Sequence, residues 1–137
     1  MRVFVPATMA DLAVLHRDGA LPVASGYALT DRYRAAVGAE IADDDEVLDY
    51  DLLMAAAAGA GKRPRADHDH RRVVLAVDLP AQPDAVEPAS GRVVVDGPLT
   101  LPDVVAVHVD DVSDGRLAPN PATDLLWYAP QEIVDLL

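Results

Sequence analysis

His108 and Asp110 stand two residues apart in the run Val104-Val105-Ala106-Val107-His108-Val109-Asp110. In an extended strand that spacing sends both side chains to one face, where an imidazole and a carboxylate can share a proton or hold a metal ion. Asp111 points the other way at the strand end, Asp78 closes the apolar run from Val73 to Val77, and Thr8 follows the opening Arg2-Val3-Phe4-Val5-Pro6. If these three strands run parallel, Thr8, Asp78, Asp110 and Asp111 converge at their carboxyl ends, the usual crevice of open α/β sheets. Oxygen donors gathered there suit a hard divalent cation. His108, Asp110, Asp111 and Asp78 are therefore the candidate catalytic groups of a small metal-assisted hydrolase or phosphate-ester enzyme. The simpler reading, solvated strand ends and a helix cap, is preferred.

His68 and His70 form a His-x-His pair that presents two imidazoles together, a weak transition-metal candidate with no evident third ligand. Asp67 and Asp69 interleave with them in a stretch with few apolar anchors, which favours a solvated connector. Lys62, Arg63, Arg65, Arg71 and Arg72 concentrate basic charge in the same region. They are read as balancing neighbouring carboxylates and keeping the connector in water. Gly59-Ala60-Gly61-Lys62 lacks the glycine spacing and the Ser or Thr of a phosphate loop, and it follows a helix instead of a strand. No Ser-Gly step sits in a nucleophile-elbow context.

Trp127 and Tyr128 are adjacent on a predicted strand and should face opposite sides, so one ring enters the core while the other reaches the surface as a binding candidate, although packing beside the closing helix is the preferred reading. Thr8 and Glu132 complete the candidate binding residues, although a cap explains Thr8 and a helix dipole explains Glu132.

The elements that would position these groups alternate along the chain. Arg2 to Pro6 reads as a strand, followed by a helix that Thr8 and Asp11 cap and Gly19 stops. Val23 to Leu29 is a weaker strand, and Thr30 caps a short helix ending at Gly38. The acidic run Asp43-Asp44-Asp45-Glu46 complements the dipole of a second main helix reaching about Ala58. Val73 to Val77 is continuously apolar, the mark of a central strand covered on both faces. An irregular linker spans Pro80 to Ser90, and Arg92-Val93-Val94-Val95 meets Asp96-Gly97 as one arm of a hairpin. Strands at Leu101 to Val109 and Leu125 to Tyr128, a loop between them, and a closing helix from Pro130 to Leu137 finish the chain. The expected fold is α+β, one domain over residues 1–137, with a mixed sheet covered by two main helices and closed by the last strand and helix.

At 137 residues with 51% hydrophobic content the chain is long enough for a real core and too apolar for disorder. No apolar run approaches the length of a membrane span, and Val3-Phe4-Val5 is too brief for a secretory core. The absence of cysteine removes disulfides, thiolate metal sites and thiol nucleophiles, and a cytoplasmic location is expected. A net charge of -12 repels nucleic acid. A basic protein partner or a small ligand fits better, with no membrane association and no required cofactor beyond a weakly held divalent cation.

The opening Met1-Arg2-Val3-Phe4-Val5-Pro6-Ala7-Thr8, the central Arg71-Arg72-Val73-Val74-Leu75-Ala76-Val77-Asp78, the Val107-His108-Val109-Asp110-Asp111 step and the close Leu125-Leu126-Trp127-Tyr128-Ala129-Pro130-Gln131-Glu132-Ile133 together resemble a family of small actinobacterial proteins of unknown function. The four segments come in the family's order and span most of the chain. The resemblance brings no activity. It implies a longer Ala-rich helical stretch where this chain has only residues 112–124, so any site roofed by that helix would be incomplete here. The closing strand and helix are also similar to the end of Nudix hydrolases, but the Glu-rich metal helix of that fold is missing. The favoured reading is a non-enzymatic, acidic regulatory or protein-interaction module.

Overall fold

A computed structural model describes residues 1–23, 25–38, 45–62, 71–80, 83–111 and 125–137. The fold is α+β. In chain order the elements are β1 (Arg2–Ala7), α1 (Met9–Asp18), β2 (Ala20–Leu21), β3 (Ser25–Ala28), α2 (Asp31–Ala36), α3 (Asp45–Gly61), β4 (Val73–Asp78), β5 (Ala85–Glu87), β6 (Arg92–Val94), β7 (Leu99–Thr100), β8 (Val104–Asp110), β9 (Leu125–Tyr128) and α4 (Ile133–Leu136), with short 3-10 turns before β6, β8 and α4. Seven strands form one sheet in the order β5-β6-β3-β1-β4-β8-β9, while β2 and β7 pair separately.

Strand parity explains how the two main helices are used. Val3, Val5 and Ala7 of β1, Val73, Leu75 and Val77 of β4, and Val107 and Val109 of β8 point to one face, where they pack with Met9, Leu12 and Leu15 of α1. The alternate residues Phe4, Val74, Ala76 and Ala106 meet Leu52, Ala56 and Ala57 of α3 on the other face. Small alanines on both sides of that contact let the helix approach the sheet closely. β4 is thus buried on both faces, as its continuous apolar run predicts. The cap at Thr8 closes with Asp11, and Gly19 ends α1 in the left-handed region at φ 73°.

Strand direction departs from expectation. Every ladder among the described residues is antiparallel, so the sheet is not mixed. The apolar run of β4 reports that both faces are covered, which says nothing of which way its neighbours run. The Asp96-Gly97 turn forms with Gly97 at φ 74°, but the chain after it leaves the main sheet to pair with β2 instead of folding back on β6. β6 pairs with β3 and with β5, a short edge strand inside the segment read as an irregular linker. The closing segment docks through Ile133, which is buried in the α1-side core. Among the described residues no helix is long and apolar enough to cross a membrane.

Candidate functional site

The antiparallel order separates the acids that the parallel arrangement would have gathered. β4 runs against both β1 and β8, so Thr8 and Asp110 lie at one end of the sheet with the start of β4, and Asp78 lies at the other. Six residue steps at about 3.4 Å put roughly 20 Å of strand between the two ends. At its own end Asp78 accepts a 2.8 Å hydrogen bond from Arg2 Nε. The Arg2 guanidinium holds the Asp78 carboxyl below the usual carboxylate range.

Asp110 is committed to the fold. It is 3% exposed and faces Arg72, itself 7% exposed. Arg72 Nη2 donates to Asp110 Oδ1 at 2.7 Å, Nε donates to Oδ2 at 2.9 Å, and the Arg72 backbone N–H donates to Oδ2 at 2.6 Å. The Asp110 N–H returns a bond to the Arg72 carbonyl at 3.1 Å. Two-pronged guanidinium–carboxylate pairing of this kind is strong and directional. It saturates the carboxylate that the acid-base reading needs. Arg72, expected to sit in a solvated basic connector, is the residue that sequence reasoning missed. Its signal was parity: Arg72 is in phase with Val74 and Ala76, on the face that α3 covers.

Thr8 is likewise occupied. Its Oγ1 accepts from the Asp11 N–H at 3.1 Å, and the Asp11 carboxylate accepts from the Thr8 N–H at 3.0 Å. Glu132 accepts from the Ala129 N–H at 3.0 Å and so shapes the turn that leads into α4. Asp111 follows the last residue of β8 and is partly exposed. His68 and His70 lie outside the described residues. Among those described, no three His, Asp or Glu side chains come together as metal ligands.

What the sheet does bring together is His108 and Trp127. They are directly opposed on β8 and β9. Directly opposed antiparallel residues have Cβ atoms about 4.5–5.5 Å apart and share a face. α3 lies across β1, β3 and β4, so this pair sits beside the helix and not beneath it. Burial, with a smaller contribution from the Arg2 charge, pushes the His108 imidazole below its ordinary value and favours its neutral form. Trp127 is 60% exposed. Tyr128, on the opposite face, packs against the α1-side core. The two rings thus face opposite sides, as strand alternation requires, with Tyr128 partly buried and Trp127 exposed.

No curated protein and no solved structure matches the chain. The model of a family of unknown function, DUF6912, matches residues 1–137, and the chain belongs to that family.

Proposed function

We propose that this protein is a non-enzymatic interaction module that takes an extended, basic segment of a partner protein along β9. The observation that carries this reading is Trp127, the sole tryptophan, on the edge strand Leu125–Tyr128, whose outer side no described strand pairs. An open strand edge offers N–H and C=O groups to an added strand, and natural sheets commonly blunt such edges with lysine, proline or a bulge. Leu125-Leu126-Trp127-Tyr128 contains none of the blunting residues. Leu126, 40% exposed, extends the apolar surface on the other face. Asp111 precedes the edge strand, Glu132 and Asp135 follow it, and the net charge of -12 favours a partner rich in Lys or Arg. The separation of Asp78 from Asp110, and the saturation of Asp110 by Arg72, support binding over the metal-assisted hydrolase alternative.

The test uses peptides that alternate Val or Leu with Lys, and matched peptides with Glu in place of Lys. Fluorescence of the sole tryptophan reads occupancy directly, and surface plasmon resonance reads the Trp127→Ala variant. The Lys peptides should bind, shift the emission to the blue, and lose about tenfold or more in affinity to Trp127→Ala, as an aromatic anchor predicts. Equal binding of the Glu series, unchanged affinity in Trp127→Ala, or burial of Trp127 in a dimer of this chain detected by sedimentation would each refute the proposal.

A further inference from the structure

A cleft of about 350 Å³ opens on the α3 side of the sheet, far along the strand order from the β9 edge. Its origin is in the sequence. The β1–β3 ladder pairs Val3 with Ala28 and Phe4 with Tyr27, then stops. A Cβ built on Gly26 would lie 2.9 Å from the Phe4 carbonyl oxygen, so the even residues of β1 aim their backbone polar groups at β3. The next donor in that series is residue 6, a proline with no N–H to give. The two strands part there, and Gly59 of α3 roofs the gap. A side chain at position 59 would begin 3.2 Å from the Pro6 ring and 3.8 Å from the Tyr27 hydroxyl.

The polar groups of this cleft are placed by register. Tyr27 and Glu87 are the direct cross-strand partners of Arg92, one on either side of it, and Ser25 lies two residues from Tyr27 on the same face. Among the described residues Arg2, Arg17, Arg34 and Arg72 each hold a carboxylate. Within the same residues the Arg92 guanidinium has no hydrogen-bond or ion-pair partner, and neither do the hydroxyls of Ser25 and Tyr27. Glu87 stands opposite Arg92 in register yet makes no ion pair with it. A cation and an anion held in one cleft without touching leave space for a molecule that carries both charges. A bare anion would gain Arg92 but face Glu87. Val23 and Pro6 supply an apolar wall beside these groups.

We propose that the cleft binds a free amino acid with an apolar side chain. Its carboxylate lies on Arg92, its ammonium on Glu87, and its side chain against Val23 and Pro6. The guanidinium matches a carboxylate two-pronged, and the hydroxyls of Ser25 and Tyr27 complete the oxygen contacts. The volume falls at the small end of ligand pockets, which run from about 300 to 1,000 Å³.

Titration of the full chain by isothermal calorimetry and amide NMR with L-leucine, L-valine and L-phenylalanine tests this. Controls are 4-methylpentanoate, which lacks the ammonium, 3-methylbutylamine, which lacks the carboxylate, and inorganic phosphate. At least one amino acid should bind, with shifts centred on residues 25–27, Gly59 and Arg92, and each single-charge analogue should bind about tenfold or more weakly. Arg92→Met and Glu87→Gln alter exposed side chains and should keep the wild-type circular dichroism while losing a similar factor. Binding of phosphate or 4-methylpentanoate as tight as that of the amino acids would overturn the zwitterion assignment. So would silence toward all three amino acids at millimolar concentration, or full affinity in Arg92→Met.

Discussion

Replacing Asp110 by alanine takes its paired carboxylate from a guanidinium that is 7% exposed, and it strips the acceptor from Arg72 Nε, Nη2 and backbone N–H together. Breaking a buried pair from one side costs about 3–5 kcal/mol, because the surviving charge stays desolvated. Ordinary domains have about 5–15 kcal/mol in all. We expect Asp110→Ala to lower the free energy of urea unfolding by about 3–5 kcal/mol with an unchanged denaturant slope. Asp110→Asn keeps an oxygen for the Arg72 N–H but no charge, and should fall between wild type and alanine. Arg72→Met combined with Asp110→Asn removes both charges and should recover most of the loss, since a buried pair contributes little net stability beside an uncharged replacement. Far-UV circular dichroism is the readout, because the exposed Trp127 reports poorly on global unfolding. An Asp110→Ala cost below about 1 kcal/mol, the range of a surface pair, would refute the reasoning. A double variant no more stable than Asp110→Ala would do the same. Confirmation would place Asp110 in the framework and not among groups free for catalysis.

Gly91 adopts φ 77°, and a Cβ there would sit 2.2 Å from Leu52 Cδ2 and 3.3 Å from Tyr33 Cδ2. Gly91→Ala should cost about 2–5 kcal/mol by urea unfolding, combining left-handed strain with overpacking; a loss under about 1 kcal/mol would contradict the close approach. His108, whose folded-state affinity for protons is depressed by burial, makes the unfolded chain the better proton binder. Its contribution is intact above its ordinary value of about 6.5 and is lost as pH falls from there through the lower folded value. Melting temperatures from pH 7.5 down to 5.5 should therefore fall more steeply in wild type than in His108→Gln, and parallel curves would refute the assignment. Asp49 has its carboxyl pushed upward, by burial first and then by Asp45, with Arg2 and Arg34 opposing. Its ionised form disfavours folding at neutral pH, and that penalty fades as pH drops from the raised folded value to the ordinary carboxylate value, below which it is gone. Asp49→Asn should melt higher than wild type at pH 7 and lose the advantage in acid; no gain at pH 7 would sink this account.

Much of the architecture was legible because it is local. Thr8 with Asp11 and the glycine at 19 bracket α1 through bonds that span three or four residues, and Thr30 caps α2 in the same way. The uninterrupted apolar run of β4 and the adjacent Trp127 and Tyr128 encode burial by parity alone. The shortest strands carry no local signal of their own. β5 spans Ala85–Glu87 inside a proline-rich stretch, and its strand character comes only from its neighbour β6. β7 holds Leu99–Thr100 in extended form through pairing with Ala20–Leu21, across nearly eighty residues of chain.

For the sites the division is sharper. Residue types, charge and strand phase are properties of the chain itself, and they sufficed to nominate His108, Asp110 and Trp127 and to say which share a face. Strand order and direction are not, because they depend on which distant segments bury apolar surface against each other. The antiparallel sheet carried Asp78 to the far end, locked Asp110 onto Arg72, set Trp127 across from His108, and aligned Tyr27, Arg92 and Glu87 along one row. A hydrogen-bonded ladder fixes those pairings over tens of residues of separation, and no local pattern around any one of them could have announced its partner.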